Sequence, residues 1–118
     1  MIDPLLAAVL VGLGGSGGAA GRHAVGLRIE GRRSVVVVNS LGSLALGALL
    51  AAPIGSAATS LAAIGFCGAF TTFSSFAVET VSAAADGERR VAAGFAVANV
   101  AAALLSLLVG ATVVGVFA

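Results

Sequence analysis

The sequence predicts an all-α membrane protein of four transmembrane helices, the third broken near its middle. Three observations carry this. Hydrophobic residues fill 59% of the 118 positions and charged residues only 9%, against about 25% in ordinary soluble domains. With a mean hydropathy of +1.15, the chain lacks the polar side chains to cover a surface facing water. No charged residue stands between Ser34 and Val78, and residues 4–21 and 91–118 are uncharged as well. These stretches supply the roughly 20 apolar residues that each bilayer-crossing helix needs, and short charged or Pro-Gly segments divide them. The length fits a single domain, residues 1–118.

The first span covers residues 4–27. Its apolar run follows Asp3 and Pro4 with no basic segment ahead of it, the pattern of a retained helix rather than a cleaved leader. Its second half is rich in Gly and Ala, which lets another backbone approach closely. Gly12, Gly14 and Gly17 match the spacing of a dinucleotide-binding loop, but no strand precedes them, so tight helix packing is the expected role. Arg22 and His23 close the span. His23 is read as reaching the headgroups. Arg22 either does the same or stands in a vestibule and offers positive charge to an anion.

After the charged loop 28–33, the second span runs over residues 34–52. Val35 to Val38 are β-branched, yet a segment of this length in lipid must be helical to satisfy its own backbone. An amide such as Asn39 either bonds a neighbouring helix or faces a polar path. Gly42, Ser43 and Gly47 give the helix a small-residue side, and Pro53-Ile54-Gly55-Ser56 forms the next turn.

The third span, residues 57–84, contains the chain's most unusual stretch. Gly65 to Phe76 reads GFCGAFTTFSSF and holds four of the six Phe, interleaved with Thr71, Thr72, Ser74 and Ser75. Polar groups are costly at membrane depth, so this stretch is the candidate functional segment. Gly65 and Gly68 around Cys67, followed by two Thr, point to a break here. Carbonyls freed by a break either hold a cation or line a cavity. Glu79 lies beyond it and reads as an interfacial charge. After loop 86–90 the fourth span covers residues 91–116, with Asn99 as its one strongly polar residue.

Four spans put both charged loops on one side. Arg28, Arg32, Arg33, Arg89 and Arg90 all lie there, whereas the Pro53 turn and both termini carry no Lys or Arg. The positive-inside rule makes the charged loops cytoplasmic and favours one fixed insertion. A net charge of +1 gives no polybasic patch for nucleic acid. The lone Cys67 and lone His23 sit on different spans, which leaves a nucleophilic or metal site without support and points away from an enzyme.

Residues 65–76 resemble the signature of the Fluc (CrcB) fluoride channels, GFCGGxTTFSTF, with Ala69 in place of a Gly and Ser75 in place of a Thr. Two further matches support the resemblance. Gly18 to Arg22 is similar to that family's GAxxR in the first helix, and Val38 to Ser43 is similar to its VNxxGS in the second. The resemblance implies passive export of fluoride through a plasma-membrane dimer of two oppositely oriented subunits enclosing two pores. It implies that Asn39 lines a pore, that Phe73 and Phe76 contact the ion, and that Ser74 and Ser75 add hydroxyl donors. It also implies that the carbonyls of Gly68 and Thr71 hold a structural Na⁺ at the dimer centre. In the fourth helix, Phe95 and Asn99 stand where family members often carry Tyr and Ser; Phe95 loses the hydroxyl, whereas Asn99 keeps a donor and is expected to line the pore.

Taken with the one-sided arginines, the dimer is expected to form either from two copies of this chain or with an oppositely inserted paralogue. Two other functions fit the size. A small multidrug exporter needs a carboxylate inside the first helix, where this chain has none beyond Asp3. A non-transporting assembly subunit would use the Phe, Thr and Ser cluster as packing alone.

Overall fold

The structure, a computed structural model, describes residues 1–118 and is helical throughout, without strands. The first helix, Pro4–Arg28, begins where Asp3 Oδ1 accepts the N–H groups of Leu5 and Leu6 at 2.9 and 3.1 Å. Pro4 follows at the first helical position, where its missing N–H costs nothing. The chain turns at Gly31, whose φ of 66° suits a residue without a Cβ, into the second helix, Arg32–Ala51. Pro53 to Gly55 turn it back into the third span, Ser56–Ala85, and Gly87 (φ 81°) leads into the fourth helix, Arg89–Phe117.

Both charged loops are shorter than the sequence suggests. Arg32, Arg33, Arg89 and Arg90 belong to helices, because a long Arg side chain reaches the headgroups from a first helical turn without leaving the helix. The third span breaks at residues 71–73. Its first arm, residues 56–70, is wound as a π-helix over Thr59–Cys67, and its second arm is Ser74–Ala85.

Glycines decide which helices touch. A Cβ at Gly47 would land on the Leu107 carbonyl, and one at Gly110 on the Leu44 carbonyl, so the second and fourth helices meet backbone to backbone. A Cβ at Gly14 or Gly18 would strike the carbonyl of Leu61 or Phe66, which packs the first helix onto the first arm. Close approach of this kind is what small residues provide where lipid supplies no hydrophobic drive. The second arm lies against the fourth helix, and Glu79 on it stands 4.0 Å from Arg32. Both side chains are partly exposed, so the pair contributes at most about 1 kcal/mol. Only 18 of the 118 residues are buried. The single chain therefore leaves most of its apolar side chains for lipid or for another chain.

Candidate functional site

An unbroken helix would send the Thr72 N–H to the Gly68 carbonyl and the Ser75 N–H to the Thr71 carbonyl. Neither bond forms. Thr72 N–H donates to Asn39 Oδ1 at 2.7 Å, and Ser75 N–H donates to Thr72 Oγ1 at 3.1 Å. Thr71 adopts an extended backbone, ψ 163°, between the arms. Its own N–H and hydroxyl still close the first arm onto the Cys67 carbonyl, at 3.1 and 2.9 Å. The break thus releases the carbonyls of Gly68 and Thr71 from helical bonding. Arg22, half-buried on the first helix, donates from Nη1 to the Thr71 carbonyl at 3.4 Å. The contact ties the Arg22 guanidinium to the helix break.

Three helices meet around Thr72. Asn39 Nδ2 donates to the Thr72 carbonyl at 3.0 Å and to Asn99 Oδ1 at 3.2 Å, so the Asn39 amide holds both backbone groups of Thr72 and the fourth helix at once. Asn39, Thr72 and Asn99 are all buried. Burying the Asn39 amide and the Thr72 peptide is offset because each of their bonds is made.

Beside this network opens a groove of about 510 Å³. Asn39, Asn99, Phe73, Phe76, Gly68 and Thr71 all line it, as do Thr72 and Ser43. Phe76 sits between Phe73 and Phe95, with ring centroids 5.8 and 5.6 Å apart at tilts of 50° and 40°. Tilted packing points ring edges, the electropositive part of each ring, past one another. Phe73 is 79% exposed and projects from the chain.

Two expected residues fall outside the groove. Ser74 and Ser75 are exposed at the start of the second arm, and Ser74 Oγ lies 3.3 Å from Thr72 Oγ1 instead of facing the groove. The reason is local: the helix restarts at Ser74, and its first turn points these short side chains outward. Thr72 was not singled out by the sequence, although a Thr just ahead of a restarting helix is a capping signal. Ser43, on the small-residue side of the second helix, lines the groove too.

Four membrane-spanning helices, with the polar groups gathered at one helix break beside an open groove, define a multi-pass membrane protein of the transport-subunit class. The sequence profile described as CrcB-like protein, Camphor Resistance (CrcB), matches residues 9–111. The chain belongs to that family. Fluoride-specific ion channel FluC 2 of Natronomonas pharaonis is 55% identical over 108 residues, covering 90% of this chain and 92% of its own. Two proteins of Haloarcula marismortui are also similar. Its Fluoride-specific ion channel FluC 2 is 43% identical (87% of this chain, 89% of its own), and its FluC 1 is 44% identical (93% and 87%).

Proposed function

We propose that this chain is a subunit of a passive fluoride channel in the cell membrane, which lowers cytoplasmic fluoride and catalyses no reaction. The observation that supports it most is the groove at the helix break, which joins amide donors to aromatic edges. Ring edges and N–H groups each replace part of a small anion's hydration. No Arg or Lys lines the groove, and partial charges hold an anion loosely enough for it to leave. No carboxylate lines it either, which removes the cation-coupling group a small multidrug exporter needs. A purely structural subunit gives no reason to hold an open groove beside buried amides.

In this reading Phe73 and Phe76 present ring edges to the ion, while Gly68 and Thr71 face a second, oppositely oriented subunit. The exposed Phe73 and the small number of buried residues leave room for such a partner. Two freed carbonyls per chain suit a hard monovalent cation in ligand type, and two chains meeting would supply four. Such a Na⁺ would fix the two breaks against each other. The Arg22 guanidinium takes one lone pair of the Thr71 carbonyl, which leaves the other available.

Five Arg at one end against none at the other favour an oppositely inserted paralogue as the partner. Haloarcula marismortui carries two similar channels of different type. Growth and orientation test this together. In cells without fluoride export, the chain with a paralogue of reversed loop charge is expected to restore growth in fluoride. Single cysteines placed in loop 86–90 should be labelled from the cytoplasmic side alone. Failure to rescue in any pairing contradicts the channel, and equal labelling from both sides contradicts fixed insertion.

A further inference from the structure

We propose that the charged end of the second helix holds an anionic phospholipid, its phosphate on Arg32 and Arg33 and the start of an acyl chain in the groove beneath them. This site goes beyond fluoride passage and is separate from the groove at the helix break.

This second groove, of about 500 Å³, lies where Ile29, just past the first helix, meets the first turns of the second. Arg32, Arg33, Val36 and Val37 line it with Ile29, and none of the five borders the groove at the break. The helical rise sets Val36 and Val37 about 6 Å deeper into the span than the two Arg. Arg32 and Arg33 are exposed, whereas Ile29, Val36 and Val37 are half-buried. Charge at the rim above an apolar floor matches an amphiphile with its head at the membrane surface and its chain toward the interior.

The chain itself leaves the charge at the rim largely unmatched. Its one ion pair joins Arg32 to Glu79 at 4.0 Å, with both side chains partly exposed, and Arg33 has none. Glu30, Asp86 and Glu88 stand at the same end and pair with neither Arg. No acidic residue occupies the first turn of the helix, where the helix dipole already works against two cations. A phosphate between the guanidiniums supplies the missing negative charge, and Arg takes phosphate through paired N–H donors. The one-sided arginines place this end at the cytoplasmic leaflet, whose anionic lipids are drawn to such residues. A free phosphate would use the rim alone, whereas a phospholipid covers the rim and the floor together.

Lipid retention by the unsubstituted protein tests this directly. The purified protein in non-ionic detergent is given equal amounts of phosphatidylglycerol and phosphatidylcholine and then measured by native mass spectrometry. Phosphatidylglycerol should be retained at least about tenfold better, and an excess of inorganic phosphate should not displace it. Equal retention of the two lipids overturns the proposal. Displacement by inorganic phosphate overturns it too, in favour of a site for a free anion.

Substitutions then locate the lipid. Arg32→Gln combined with Arg33→Gln should lower phosphatidylglycerol retention at least about tenfold. Arg89→Gln combined with Arg90→Gln removes the same charge from the same end but outside the groove, and should change retention by less than about twofold. Val37→Phe keeps both guanidiniums and fills the floor, so it should also weaken retention. Equal losses from the two Arg pairs would show general attraction to charge and overturn the groove as the site. Full retention in Val37→Phe would remove the acyl chain from it.

Discussion

Asn39→Asp abolishes fluoride conduction and loosens the helix break together, with flux reduced at least about a hundredfold. The aspartate keeps the oxygen that accepts from Thr72 N–H but has no NH₂ group. The Thr72 carbonyl and Asn99 Oδ1 then lose their donors. Each buried acceptor left unpaired costs about 1–3 kcal/mol, and a carboxylate at this depth adds its own desolvation and its repulsion of anions. Thermal stability therefore falls along with flux. Liposome efflux paired with thermal unfolding checks both effects, and an Asn39→Asp protein with unchanged flux and stability would remove Asn39 from its role at the helix break.

Gly110→Val carries the other large effect, and it acts before any ion is involved. A Cβ at this position lands on the Leu44 carbonyl, a backbone atom that cannot rotate away. The second and fourth helices would have to separate, and they are the two that hold Asn39 3.2 Å from Asn99. Overpacking costs about 1–3 kcal/mol in a protein core, and here the backbone contact offers no side chain to repack. The folded, monodisperse fraction should collapse on size-exclusion chromatography. Gly12→Ala, where a Cβ meets nothing within 4 Å, should express normally. Equal yields for both would show that backbone contact does not set this helix spacing.

Much of the fold is legible because lipid leaves a helix few alternatives. Uncharged runs interrupted by Arg-rich or Pro-Gly segments specify four helices, and the glycines mark where backbones meet. The break is only half legible. Gly65, Gly68 and the Thr pair announce a disturbance, but its place at residues 71–73 is set by Asn39, which takes the Thr72 N–H from across the bundle. No local pattern shows a bond between residues 33 positions apart. The same holds for Arg22, which finds the Thr71 carbonyl from 49 positions away. Asn39 had two alternatives in the sequence, a neighbouring helix or a polar path. It bonds the neighbour and borders the groove. The resemblance counts Ser74 and Ser75 among the hydroxyl donors of the pore, whereas the restart of the helix turns them outward, outside the groove.

The central claim is that this groove passes fluoride and does so selectively. Efflux from liposomes, followed with fluoride and chloride electrodes and with the protein in the pairing it adopts in membranes, tests that most directly. Rapid fluoride release that empties the protein-containing liposomes, with chloride retained, is the predicted result. Fluoride retained as fully as chloride, from liposomes shown to hold folded protein, would contradict it.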